Sequence, residues 1–168
     1  MTLSTVCRLL FAAALTVAAG SAWAQSSARE RVDDPAALRG LFADRTFYGR
    51  YANATNWVEY YAPDGRLAYW DGCPHAGQWW IEGAEACFHY PTMVGGNTFC
   101  FDVYRGAPGS GRDLEFLTPG SSPDWIAVAF TRNIRDGNVE NMSLTDSGCQ
   151  TSQLRPSRLE TTIREKTP

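Results

Sequence analysis

The sequence predicts a mainly β protein, built as a single antiparallel up-and-down meander that forms a curved sheet or a lipocalin-like barrel. Short runs rich in aromatic and β-branched residues recur at roughly 8–12-residue spacing, and turn residues rather than helical patterns separate them. Four cysteines follow the apolar N-terminal stretch, as in exported domains that carry two disulfides. Eight or nine short strands joined by turns favour closure or strong curvature of one sheet.

The first 24 residues are predicted to be a secretory signal peptide. Arg8 supplies a positive charge, residues 9–19 are apolar, and Ala22-Trp23-Ala24 matches a small-x-small cleavage signal. The apolar stretch is too short for a comfortable membrane span, although a retained anchor is the alternative. We therefore expect a periplasmic or secreted protein with no membrane span after cleavage. The predicted division is a signal peptide (1–24), a flexible N-terminus (25–32), a β domain (33–149) and a polar C-terminal tail (150–168).

The charge of the mature chain disfavours nucleic acid as a partner. Cleavage removes only Arg8 of the 15 basic residues and none of the 18 acidic ones, so 14 basic residues remain and the net charge is −4. The chain has a single lysine, Lys166, and no basic run. Binding to nucleic acid requires clustered positive charge that displaces counterions.

One short helix is predicted before the strands. Asp34 is placed as its N-cap and Pro35 at its first position, where proline's fixed φ is already helical. Leu38, Leu41 and Phe42 share one face of this helix. We expect that face to lie across one end of the sheet.

The strands follow from alternation and from the turns between them. Pro63-Asp64-Gly65 is a strong turn, because proline presets φ and glycine accepts the left-handed conformation. Asp136-Gly137 is a second hairpin signal. Strands are predicted at 46–51, 56–61, 66–70, 78–82, 85–90, 98–105, 114–117 (a short edge strand), 125–131 and 138–144, with a short helix near 157–160.

Strand register predicts one disulfide and elimination predicts the other. If Cys87 lies opposite Cys100 in a hairpin, both sulfurs lie on one face, and closing this loop contributes about 3 kcal/mol. Cys73 then pairs with Cys149. The same register directs Phe88, Tyr90, Phe99 and Phe101 to the core.

A metal site is the alternative interpretation of the cysteines. Cys73 and His75, like Cys87 and His89, show a Cys-x-His spacing that places both side chains on one face of a strand. This is not a standard zinc-finger spacing, Pro74 interrupts the first pair, and the metal site would leave Cys100 and Cys149 without their disulfide partners. We therefore expect two disulfides, with no metal and no cofactor.

The aromatic residues predict either a core or a ligand cup. Adjacent rings in Tyr60-Tyr61 and in Trp79-Trp80 must point to opposite faces, so one ring of each pair faces outward if the other is buried. Glu59, Asp71 and His75 are polar neighbours of these rings, and together they could hold a sugar, a peptide or a small apolar ligand. The candidate ligand-binding residues are Tyr60, Tyr61, Asp71, His75, Trp79 and Trp80.

No catalytic motif accompanies these residues. The chain lacks a Gly-x-Ser-x-Gly elbow, a phosphate-binding glycine loop and a His-Glu-x-x-His helix motif. We expect a non-enzymatic binding module for a cell-envelope ligand or protein partner, which means a small molecule, a glycan or a protein. The alternatives are a small hydrolase-like enzyme that uses cleft carboxylates or a His75–Asp71 couple, and a Cys/His metal-binding protein.

An ordered set of motifs resembles a family of uncharacterised exported proteobacterial proteins, a domain of unknown function. The set comprises the leading helix and strand (38–47), Tyr60 to Gly65, Gly77-Gln78-Trp79, Cys87-Phe88-His89-Tyr90 and the later Cys100. The resemblance implies a small periplasmic β domain. It implies no activity and transfers no functional residues.

Overall fold

The computed structural model describes residues 29–93, 96–122, 125–145 and 148. The predicted signal peptide, Cys149, the C-terminal tail and the helix predicted near 157–160 lie outside the described residues.

The described strands form an eight-stranded antiparallel barrel with one extra strand. Each strand from β2 to β9 pairs with the next along the chain, and β9 returns to pair with β2. The up-and-down topology is therefore confirmed, and the sheet closes. The elements are β1 Glu30–Arg31, α1 Pro35–Phe42, β2 Arg45–Tyr51, β3 Asn56–Tyr61, β4 Arg66–Trp70, β5 Pro74–Glu82, β6 Glu85–His89, β7 Thr98–Arg105, β8 Leu114–Leu117 and β9 Ala129–Asp136.

Helix α1 covers one end of the barrel. The Asp34 carboxylate accepts hydrogen bonds from the backbone N–H groups of Ala36 and Ala37 at 3.3 and 3.0 Å, which confirms the predicted N-cap. The ring of Phe42 is fully buried and reaches into the barrel. It contacts rings on five different strands, with centroids 4.9–6.2 Å apart: Phe47, Tyr61, Trp79, Phe88 and Phe116.

The extra strand β1 lies within the segment predicted to be flexible, 25–32. Glu30–Arg31 pairs with the end of β7. Arg31 forms a 2.5 Å ion pair with Asp102, and the Nε of Arg29 lies 2.7 Å from Glu115. Both carboxylates are buried, and a buried carboxylate is costly unless a positive charge is paired with it. These two arginines supply that positive charge.

The C-terminal part of the sheet differs from the prediction. β9 begins at Ala129 rather than at 125 and continues to Asp136, and no strand is assigned within the described residues 138–145. The predicted hairpin does not form because Gly137 is held at the start of β2. Its N–H donates to the carbonyl of Asp44 at 2.6 Å, and its carbonyl accepts from the hydroxyl of Thr46 at 2.6 Å.

The segment that follows Gly137 covers the outer face of the barrel. Met142 packs there against Tyr48 and Val58, beside Trp70. A strand in this position would need a free sheet edge, and closure removes that edge. For the same reason the short strand β8 is not an edge strand, because it pairs with both β7 and β9.

The disulfide between Cys87 and Cys100 is confirmed, and these residues lie opposite each other in register. Cys73 is also disulfide-bonded. Its predicted partner, Cys149, lies outside the described residues, so that pairing stays a prediction. Gly148 supports it, because its N–H donates to the carbonyl of Pro74 at 2.8 Å and brings the two chain segments together.

No helix in the described part of the chain is long and apolar enough to cross a membrane.

Candidate functional site

The barrel encloses a cavity of about 260 Å³ at the end opposite α1. Its lining comes from strand ends at that opening: Tyr51 ends β2, Trp57 lies near the start of β3, and Tyr69 lies near the end of β4. Tyr90 follows β6 and Phe99 lies at the start of β7. The cavity is therefore an aromatic chamber, lined by side chains that alternation directs inward.

One carboxylate lies in this chamber. Glu59 is on the inward face of β3, opposite Phe47 on β2 and Tyr69 on β4, and only 4% of it is exposed. The hydroxyl of Tyr61, two residues along the same strand, donates to its Oε2 at 2.6 Å. The hydroxyl of Tyr90 donates to its Oε1 at 2.6 Å. Each carboxylate oxygen is thus held by one phenol.

Burial raises the pKa of Glu59 to about 7, and the two phenol hydrogen bonds counteract only part of that shift. Desolvation disfavours the charged form of a carboxyl group unless a positive charge lies nearby. Among the described residues, no arginine or histidine forms an ion pair with Glu59. Near neutral pH the group is therefore poised between its neutral and ionised forms.

Two further phenols lie towards the mouth. The hydroxyls of Tyr51 and Tyr69 are 2.9 Å apart. Burial is the main cause that raises the pKa of both groups far above the ordinary value, and the nearby carboxylates of Glu59 and Asp71 act in the same direction. Both phenols therefore stay neutral and can donate or accept a hydrogen bond.

Trp57 shapes the wall next to Glu59. Its ring lies over Gly49, the residue opposite it on β2, so closely that a Cβ added to Gly49 would be 2.0 Å from the ring. The buried indole N–H of Trp57 has no hydrogen-bond partner among the described residues. Glycine at position 49 therefore provides the room that this ring occupies.

The predicted ligand-binding residues separate into different places. Tyr61 lines the chamber and binds Glu59. Trp79 is buried in the core and stacks on Phe42, with its indole N–H donating to the carbonyl of Ala62 at 2.8 Å. Trp79 therefore belongs to the closed end of the barrel.

Tyr60 and Trp80 lie on the outward face of their strands, as alternation predicts. Tyr60 is nevertheless buried, and its hydroxyl donates to Asp44 at 2.9 Å. Trp80 is half-buried, and its indole N–H lies 3.2 Å from Glu82. Neither ring reaches the chamber.

Asp71 and His75 lie at the mouth. The Nε2 of His75 is 3.8 Å from the Asp71 carboxylate, and the His75 ring lies 5.7 Å from the ring of Tyr69. The buried Nδ1 of His75 has no partner among the described residues. These two residues therefore border the chamber that Tyr69 lines.

The predicted core ring Phe99 is 39% exposed, whereas Phe88 and Tyr90 are buried as predicted. Phe101 packs against the core as predicted, and all four of these rings also line the chamber. The lining side chains contact one another, as Trp57 and Phe116 do at 6.3 Å between ring centroids, but they leave a cavity between them.

From sequence, Glu59 is named as a polar neighbour of the aromatic residues but is not included among the candidate ligand-binding residues. A signal for it exists, because Trp57, Glu59 and Tyr61 alternate along one strand and so share one face. A carboxylate between two inward-facing rings has to be buried. The register of the Cys87–Cys100 hairpin directs Tyr90 inward, but no pattern along the chain shows that Tyr90 donates to Glu59.

The Cys/His set of the metal alternative does not assemble. Cys73 and Cys87 are both disulfide-bonded, and His89 has the hydroxyl of Thr98 at 3.3 Å. Within the described residues, one group has metal-binding spacing, Glu82 with Cys87 and Cys100. Its two sulfurs are bonded to each other, so neither is available as a thiolate ligand.

No protein-family model, curated protein or solved structure compared with this chain gave a match. The resemblance to a family of exported proteobacterial proteins therefore stays a prediction.

Proposed function

We propose that this protein is an exported, non-enzymatic binding protein that holds a small, largely apolar ligand inside its barrel. The observation that carries the proposal is the aromatic chamber of about 260 Å³ with the buried carboxylate of Glu59 in its wall. The predicted signal peptide and the disulfides support a periplasmic or secreted location.

The size and chemistry of the chamber support a compact ligand. Its volume lies just below the roughly 300–1,000 Å³ that is typical of ligand pockets. Aromatic walls favour a flat or cyclic apolar body, since rings stack with offset or edge contacts. One polar centre among apolar walls fixes the orientation of a ligand, as in most small-molecule sites.

The hydrolase-like alternative would use Glu59 or the His75–Asp71 couple as an acid or a base. Glu59 already accepts two phenol hydrogen bonds, and the His75–Asp71 separation of 3.8 Å is longer than a hydrogen bond. The lining mainly offers apolar contacts around one oriented polar group. This composition favours a ligand-binding protein over a hydrolase-like enzyme.

Ligand binding in the chamber is tested by thermal unfolding of the mature protein with indole, p-cresol, octanoate, N-acetylglucosamine and a tyrosine dipeptide. A ligand that prefers the folded state raises the melting temperature. We expect indole or p-cresol to raise it and N-acetylglucosamine to leave it unchanged.

The variant Ala129→Phe places a ring inside the chamber, because Ala129 lines it. We expect this variant to abolish the thermal shift, whereas Ile126→Ser, at an exposed position outside the lining, leaves the shift intact. A wild-type protein that responds to none of the five compounds, or an Ala129→Phe variant that responds as wild type does, would refute binding in the chamber.

A further inference from the structure

Glu59 is a buried carboxylate whose charge no described side chain balances. The two buried carboxylates at the other side of the barrel, Asp102 and Glu115, have Arg31 and Arg29 as partners. Glu59 has only the phenols of Tyr61 and Tyr90. The molecule thus supplies counter-charges where a carboxylate is structural, and leaves Glu59 without one beside a cavity.

The hydrogen-bonding capacity of Glu59 is also only partly used. An ionised carboxylate offers about four acceptor sites, and one phenol occupies a site on each oxygen. The remaining sites are open to donors on a molecule in the cavity, because Glu59 lines it. A group with several N–H donors and a positive charge satisfies both requirements.

The walls around Glu59 match a cation as well. The rings of Tyr51, Trp57, Tyr69 and Tyr90 line the same chamber, and the face of such a ring attracts a cation within about 6 Å. At the mouth, Asp71 adds a negative charge close enough to influence the phenols of Tyr51 and Tyr69. An anionic ligand would meet like charge at both places.

We propose that the ligand is a small amine with an apolar, ring-containing body, bound with its ammonium group on Glu59 and its body against the aromatic walls. This inference rests on the proposed function, because it names the chemical class of the molecule that the chamber holds.

Proton linkage follows from the proposal. The titratable groups around the site are Tyr51, Tyr61, Tyr69 and Tyr90, all neutral near pH 7, with Asp71 and His75 at the mouth. With its pKa near 7, free Glu59 is mostly protonated at pH 6, and an arriving ammonium group displaces that proton. Amine affinity therefore rises about tenfold from pH 6 to pH 8, since an alkylamine stays protonated to about pH 10.

The test uses three probes that share a phenylethyl body: 2-phenylethylamine, 2-phenylethanol and 3-phenylpropionate. Calorimetric titration of the mature protein at pH 8 is expected to show the amine binding at least tenfold more tightly than the alcohol, with the acid weakest. Glu59→Gln, which keeps the shape of the side chain, is expected to bring the amine to the level of the alcohol while the alcohol still binds.

A second measurement needs no variant, so it stays decisive if Glu59→Gln does not fold. Titration of wild-type protein with 2-phenylethylamine at pH 6, in two buffers of different ionisation enthalpy, is expected to show release of close to one proton. The alcohol is expected to release none.

The outcomes separate the two proposals. If the alcohol binds as tightly as the amine, or amine binding at pH 6 releases no proton, the charge assignment is wrong while binding in the chamber stands. If indole or p-cresol binds but 2-phenylethylamine, tyramine and tryptamine do not, the amine class is likewise excluded. If none of these compounds binds, both proposals fail.

Discussion

At the end of the barrel covered by α1, five rings pack around Phe42; towards the opposite end, nine aromatic side chains line an open space of about 260 Å³. Tyr61, Phe88 and Phe116 belong to both sets and form the boundary between the two ends. The closed end satisfies its polar atoms internally, as the indole N–H of Trp79 shows by donating to Ala62. The open end leaves the indole N–H of Trp57 without a partner and Glu59 without a counter-charge. Aromatic side chains therefore stabilise the fold at one end of the barrel and line a candidate binding site at the other.

The difference lies in what fills the centre of the barrel. A helix before the first barrel strand delivers Phe42 into the closed end, whereas no described element delivers a side chain into the open end in the same way. Without such a plug, the inward-facing rings leave a cavity between them. Stability and ligand binding should therefore respond separately to substitutions at the two ends.

The largest expected effect is that of Phe42→Ala. Removing a fully buried ring that touches five others should lower the free energy of unfolding by about 3–5 kcal/mol. Urea unfolding measures this loss. Phe99→Ala at the open end is the matched control, and it should lose less than about half as much because its ring is 39% exposed. Equal losses would contradict the contrast between the ends.

Glu59 should make stability depend on pH. Its folded-state pKa of about 7 lies above the ordinary value of 4.5, so the folded protein binds this proton more tightly than the unfolded chain does. Its contribution is fully present below about pH 4.5 and is lost as the pH rises through 7, a loss of about 3 kcal/mol.

The direction of this pH dependence is tested by measuring the free energy of unfolding of wild type and of Glu59→Gln at pH 5 and at pH 8. Relative to wild type, the variant should gain stability as the pH rises, because glutamine carries no charge to bury. A difference that does not change with pH would show that Glu59 titrates normally.

The smallest effect concerns Gly49. In Gly49→Ala the new Cβ would overlap the ring of Trp57, so the ring has to move, at a cost of about 1–3 kcal/mol. Tryptophan fluorescence and urea unfolding measure the shift and the loss. Gly40→Ala in α1 is the control, since nothing lies within 4 Å of its Cβ and alanine favours a helix. An unchanged fluorescence spectrum in Gly49→Ala would count against this arrangement of the wall.

Local chemistry made several elements predictable. The bounds of β3, β4 and β7 match the expected strands, and Asp34 caps α1 as expected. Each of these depends on contacts within a few residues, or on alternation along one strand. The disulfide between Cys87 and Cys100 follows from the register of adjacent strands, which is nearly as local.

The candidate site was harder to predict, because its parts come from distant strands. Asp71 and His75 were selected from sequence and lie at the mouth, but Trp80 and Tyr60 were selected from a pattern that also fits an outer face. The run from Trp125 to Val128 has strand-like composition, yet Trp125 and Ile126 are 65% and 84% exposed. Composition alone does not show which apolar segments become strands of the barrel and which stay outside it.

The sequence by itself determined the mainly β class, the order of the strands and the shared face of Trp57, Glu59 and Tyr61, because turns and alternation are local properties of the chain. Only the tertiary structure decided that β9 closes on β2, that Phe42 fills one end and that Tyr90 meets Glu59. Closure brings residues together across the barrel, and no pattern along the chain encodes the distance between opposite walls. That distance is what turns aligned rings into a packed core at one end and into a chamber at the other.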